Sequence, residues 1–91
     1  MIANIVYDNP NDKELIKLIE FKNPVFVNFI DFNSLKGRKE SYKVKGKYAA
    51  RANPFIELLD DNKELIKAFY SEEKNACNQF IEWMNNDRNF I

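Results

Sequence analysis

Apolar and polar positions along the chain sort into six segments with two different periods. Ile2 to Tyr7 is a short run of β-forming residues closed by Asp8-Asn9-Pro10-Asn11, whose side chains favour turns and cap helices. A helix is predicted next, because Asn11 and Glu14 have capping-box spacing and Leu15, Ile16, Leu18 and Ile19 supply an apolar face. Asn23-Pro24 should end it, since a residue before proline is pushed out of the helical region. Val25 to Phe32 is apolar at six of eight positions, the pattern of a strand covered on both faces, and is expected at the centre of the sheet. Phe55–Leu59 and Leu65–Tyr70 flank the turn-rich Asp60-Asp61-Asn62-Lys63, which predicts an antiparallel hairpin with Glu57 opposite Lys67. Ser71 is placed to cap a last helix, with Glu72 and Glu73 at its positive end. Its apolar stripe is Ala76, Cys77, Phe80, Ile81 and Met84, and Trp83 is expected in the core.

The stretch from Asn33 to Arg51 shows neither period. It holds seven cations against Glu40 alone, a net +6, in a chain whose 14 basic and 14 acidic residues cancel. The molecule is therefore electrically polarised, and any binding to polyanions must be local. Several readings stay open. The segment is a solvated connection, or a short edge strand over Tyr42-Lys43-Val44-Lys45 with lysines discouraging aggregation. It also suits docking on an acidic protein surface. With Tyr42 and Tyr48 interleaved, Lys36, Arg38, Lys39, Lys43, Lys45 and Lys47 would instead track the backbone of a single-stranded nucleic acid while rings stack on bases.

Composition narrows the chemistry. Ninety-one residues make one domain, 1–91, and 45% hydrophobic residues with only two glycines and three prolines supply enough apolar material to collapse. One cysteine and no histidine leave no disulfide framework, no zinc spacing and no Cys-His or Ser-His-Asp arrangement. No enzyme activity, metal or cofactor is expected. Asp60-Asp61 and Glu72-Glu73 are explained by turn formation and helix-end charge, and Cys77, on an apolar stripe, by burial as a small hydrophobe. No leader pattern opens the chain, and its longest apolar-rich run falls far short of the roughly 20 residues that span a bilayer. A cytoplasmic protein is expected. Thirteen Asn and nine Ile without Thr or His point to an AT-rich coding sequence, such as that of a phage, which would place the protein in the host cytoplasm or the virion.

The order strand, helix, strand, basic connection, strand, strand, helix, with Pro54 opening the third strand, resembles the thioredoxin-like fold. Tyr48-Ala49-Ala50-Arg51-Ala52-Asn53-Pro54-Phe55 matches the family's Tyr-Gly-Ile-Arg-Gly-x-Pro-Thr run in tyrosine, arginine and proline. Val27-Asn28-Phe29-Ile30-Asp31 is similar to its Val-Asp-Phe-Trp-Ala strand, and Ser34-Leu35-Lys36-Gly37 stands where the family has Cys-Gly-Pro-Cys. The resemblance implies a reduced thioredoxin-like α/β domain with a four-stranded mixed sheet and a cis bond at Pro54. It is shortened, because thirteen residues between Ser34 and Tyr48 are too few for the helix, strand and helix of the full family. It is also redox-inactive, because exchange needs a thiolate and Ser34, Gly37 and Asn28 replace the two cysteines and their supporting carboxylate.

The resemblance further implies a groove that receives an extended segment of a protein partner. Ser34, Leu35, Lys36 and Gly37 would lie beside Ala52, Asn53 and Pro54, with Arg38 and Arg51 charging the rim to select an acidic partner. The competing expectation is that the basic connection folds into the groove, with Tyr42 or Leu35 as its plug. Phe90-Ile91 is a second candidate, as a docking tail.

Overall fold

The computed structural model describes residues 1–90; Ile91, and with it the end of the candidate docking tail, lies outside them. The chain forms a small α/β domain in which β1 (Ile2–Tyr7), α1 (Pro10–Lys17), β2 (Phe26–Asp31), α2 (Leu35–Lys45), β3 (Phe55–Leu59), β4 (Leu65–Tyr70) and α3 (Ala76–Met84) follow in order. Short 3-10 turns cover Gly46–Tyr48 and Asp87–Phe90. The mixed sheet runs β2-β1-β3-β4, with β1 parallel to β2, β1 antiparallel to β3, and β3 antiparallel to β4. No helix among the described residues is long and apolar enough to cross a membrane.

The centre of the sheet is β1, where Ala3, Ile5 and Val6 are fully buried. The expectation for Val25–Phe32 is corrected: β2 pairs with β1 alone and is an edge strand. Its apolar run serves both faces, Val27 and Phe29 packing against one core cluster and Ile30 belonging to the other, while Phe26 is exposed.

One face carries Ala3, Ile5, Ile56, Leu58 and Phe69 against Ile16 of α1 and Ala76, Cys77, Phe80 and Met84 of α3. Trp83 is half-buried there, edge-on to Phe69 and Phe90. The opposite face holds a smaller cluster of Val6, Ile30 and Phe55, covered by Phe32, Val44 and Tyr48.

The segment read as a basic connection is the second helix. Ser34 caps it, its Oγ accepting from the Gly37 N–H at 2.9 Å, and Gly46, with φ of +50°, ends it. Among its eleven residues the sheet-facing ones are Gly37, Ser41, Val44 and Lys45, so α2 has no apolar stripe. Tyr42 to Lys45 is correspondingly helical, not an edge strand.

Smaller differences are local. Asn9, with Pro10 at the first helical position, caps α1 where Asn11 was expected, and the helix ends at Lys17, well before Asn23-Pro24. Asn75 caps α3, because the Ser71 hydroxyl donates to the Pro54 carbonyl at 3.0 Å and accepts from the Ala76 N–H. Glu57 faces Ala68 and Leu58 faces Lys67, because a bulge beyond Leu58 brings Leu65 opposite Leu59. That hairpin turn is held by Asp60, whose Oδ1 accepts from the N–H groups of Asn62 and Glu64, while Lys63 takes a left-handed φ of 63°.

Candidate functional site

The polar centre of the molecule is Lys45, at the last turn of α2 and only 3% exposed. Its ammonium donates to the Arg51 carbonyl and, at 3.1 Å, to Asn53 Oδ1, and so ties α2 to the loop that enters β3. The same nitrogen lies 5.8 Å from the Phe32 ring centre and 5.9 Å from that of Phe55. Burial pushes the Lys45 ammonium below the usual lysine range, and the Asp8 carboxylate at the end of β1 opposes that shift. Lys45 is thus a structural clamp and is withdrawn from the set offered to nucleic acid.

Phe32 organises the surface around this clamp. The Arg38 guanidinium sits 5.2 Å from its ring centre, with Nε donating to the Phe32 carbonyl, and the Tyr42 ring meets it edge-on at 6.3 Å. Leu35, one turn before Arg38, is 71% exposed and Tyr42 is 53% exposed. Neither is therefore buried as the plug expected for the groove; Tyr48 instead packs on β3 and β4, stacked on Tyr70 at 5.4 Å and tilted on Phe55 at 5.5 Å.

The candidate groove residues are divided by α2. Leu35 and Arg38 share the flank that carries Tyr42, beside the Lys45–Asn53 junction. Lys36 lies on the other flank, where it lines a surface groove of about 390 Å³ with Ser34, Gly37, Glu40 and Asn28 along the outer edge of β2. The Ser34 hydroxyl, donating to the Asp31 carbonyl and receiving the Gly37 N–H, is engaged in the cap.

Backbone groups around Pro54 are also engaged, since Lys45 holds the carbonyl of Arg51 and Ser71 that of Pro54. Arg51 charges the opposite side: it pairs with Glu72 and lies 4.9 Å over the Tyr70 ring. Lys36, Lys39 and Lys43 repeat at helical spacing on the solvent side of α2, with Lys47 beyond its end. Among the described residues no group of three acidic or cysteine side chains is placed to hold a metal.

Cys77 is completely buried on the other face. Burial first, and the Asp12 carboxylate second, push its thiol from an ordinary 9.0 up to about 12, overriding its place near the start of α3. The native protein keeps this proton while the unfolded chain loses it above pH 9.0, so the contribution to stability is present below 9.0 and lost as pH rises toward 12. Chemical denaturation of the parent and Cys77→Ala across this range should show their stability difference falling by about 1.4 kcal/mol per pH unit. Parallel pH profiles would contradict a buried thiol.

No family model matches the chain, and no curated protein or solved structure matches it significantly.

Proposed function

We propose that this chain is a non-catalytic, shortened thioredoxin-like module that docks a protein partner on the surface formed by Phe32, Leu35, Arg38 and Tyr42 beside Asn53. The observation that carries the reading is this surface itself: exposed Leu35 and Tyr42 surround an arginine on an aromatic ring, while buried Lys45 braces the helix and loop beneath. Aromatic and arginine side chains on a rigid support are the composition that dominates binding energy at protein interfaces. The cationic side of α2 favours a partner with an acidic or extended segment.

The thioredoxin-like part of the reading is supported by the element order and by Pro54 standing directly before β3. In the family the redox turn follows the central strand, and the position of β1 inside the sheet favours aligning that turn with Asp8-Asn9-Pro10-Asn11 as an alternative to Ser34-Leu35-Lys36-Gly37. Asp8-Asn9-Pro10-Asn11 shares a proline at the third position with Cys-Gly-Pro-Cys but has Asp8 and Asn11 in the two cysteine places, and on either register no thiolate is available for exchange.

Affinity capture from the native source with the parent protein and with Arg38→Glu/Tyr42→Ala tests the reading. A partner held by the parent should bind the double variant at least about tenfold more weakly, the loss expected from two central interface side chains. Equal retention of every captured protein would reject this surface.

A second reading rests on the Lys36, Lys39 and Lys43 stripe, which would follow the phosphates of a single-stranded nucleic acid. It requires oligonucleotide affinity that falls steeply with salt, and charge reversal at these three lysines should reduce both affinity and salt slope.

A further inference from the structure

The two edges of the sheet differ in how they are closed. β4 carries Lys67 and a bulge, and at its end the Gln79 side chain donates to the Tyr70 carbonyl at 3.1 Å. β2 has no lysine, proline or bulge over Phe26–Asp31. The N–H of Phe26 donates to the Met1 carbonyl at 2.9 Å and that of Phe32 to the Tyr7 carbonyl at 2.8 Å, so the backbone groups of the even-numbered residues of β2 face β1. The N–H and C=O groups of Val27 and Phe29 therefore point outward, where no described residue pairs with them. The Asp31 carbonyl points outward too but is taken, accepting from the N–H and Oγ of Ser34.

We infer that the outer edge of β2 pairs with β2 of a second copy of this chain, antiparallel, about a two-fold axis normal to the sheet that passes between the two Asn28 residues. Such an axis keeps both sheets in one plane and both α2 helices on the same face. Val27 of each copy then stands opposite Phe29 of the other, and each of these pairs exchanges both of its N–H···O bonds. An axis through Phe29 would direct the Val27 N–H at the Asp31 carbonyl that Ser34 holds, and an axis through Val27 would set Phe29 opposite Val25, outside the strand. The Asn28 register is thus the one that uses every free group of Val27 and Phe29 within the strand.

The occupant is a second copy because β2 supplies both halves of each contact. Val27 and Phe29, half-buried on the α1–α3 face, form β-branched–aromatic pairs across the axis. On the α2 face Phe26, 69% exposed, comes opposite Ile30 of the other copy. Ile30 lines the groove of about 390 Å³ along the β2 edge, with Gly37 and the charged Asp31, Lys36 and Glu40, so the exposed ring is covered at the mouth of that groove. At the axis, Asn28 Nδ2 donates to Asn4 Oδ1 at 3.1 Å, which leaves the Asn28 Oδ1 and the second N–H of its amide for Asn28 of the other copy. The helices do not compete for space on the α2 face. Each α2 packs over Val6, Ile30 and Phe55 near the end of its own β2, and the rotation sets it beside the start of the other β2, where Phe26 is uncovered.

Edge pairing buries little area, below about 1,200 Å² in total, so a reversible dimer with a dissociation constant of ~10–100 µM is expected. Sedimentation equilibrium of the full chain over a concentration series should show it. Over the same series amide hydrogen exchange should slow at Val27 and Phe29, which the monomer leaves open to water. Asn28→Lys and Asn28→Asp should each self-associate at least about fivefold more weakly, because like charges then stand directly opposite at the axis, while their equimolar mixture should associate at least as tightly as the parent. A parent protein that stays monomeric at about 500 µM, well above that range, would overturn the inference. Association without concentration-dependent protection at Val27 and Phe29 would place the contact elsewhere and overturn it as well. So would a mixture that fails to regain association while circular dichroism shows both variants folded.

Discussion

Gly37→Ala should destabilise the protein by about 3 kcal/mol or more, the upper end of what overpacking a tight site costs. A Cβ at Gly37 would lie 1.9 Å from the Asp31 carbonyl oxygen and 2.7 Å from Ser34 Oγ. The nearest obstacle is backbone at the end of β2, which cannot rotate away as a side chain can. The first turn of α2 would have to lift off the sheet, breaking the cap in which Gly37 donates to Ser34. Because Leu35, Arg38 and Tyr42 ride on that turn and the next, partner binding should weaken even at temperatures where the variant remains folded. Thermal unfolding and a binding isotherm measured on the same samples check both parts. Normal stability in Gly37→Ala would mean that helix and strand do not approach this closely.

Phe80→Ala should cost about 3–5 kcal/mol, as expected for emptying a fully buried aromatic site. The Phe80 ring is completely buried, with Phe69 edge-on at 5.7 Å and Phe21 at 5.4 Å. At roughly 4–8 °C per kcal/mol for a domain of this size, the midpoint should fall by more than about 12 °C. Phe80 lies on the face away from α2, so binding per folded molecule should not change. That outcome differs from Gly37→Ala, and the pair separates loss of fold from loss of the binding surface. A midpoint shift of only a few degrees would show that α3 repacks and is not held by this cluster.

Strands and the last helix were legible because their burial leaves a periodic trace. Ile2–Tyr7, Phe55–Leu59, Leu65–Tyr70 and the Ala76–Met84 stripe all fall where alternation or helical spacing puts them. Chain ends of helices were less legible. Several Asn, Asp and Ser residues stand near each terminus, and any of them can cap, so the choice between Asn9 and Asn11, or Ser71 and Asn75, is made by what else each side chain can reach.

The candidate site was legible only in part. Arg38, Leu35 and Asn53 were picked out, whereas Phe32 was assigned to a strand, Tyr42 was read as a plug or a base-stacking ring and Lys45 as a nucleic-acid contact, not as the residues on which Arg38 and Asn53 rest. A signal for Lys45 existed in hindsight. It falls four residues after Ser41, which falls four after Gly37, a helical stripe of small and polar residues ending in a lysine. Lysine is so rarely buried that such a stripe reads as solvent-facing until its partners are known.

By itself the sequence determined the class of fold, the number and kind of most elements, the antiparallel hairpin and the burial of Cys77, because local propensity and hydrophobic period are properties of neighbouring residues. It also determined the charge polarity of the chain, since charge is additive along it. Only the tertiary structure decided that β1, not β2, is central, that residues 35–45 form a helix, and which cations remain available. Strand order depends on pairings between residues far apart in sequence. The second helix is stabilised not by an apolar stripe but by a glycine that admits close approach to Asp31 and by a buried lysine that bonds the loop entering β3. Those contacts come into being only once the sheet has formed, so no period in the sequence records them.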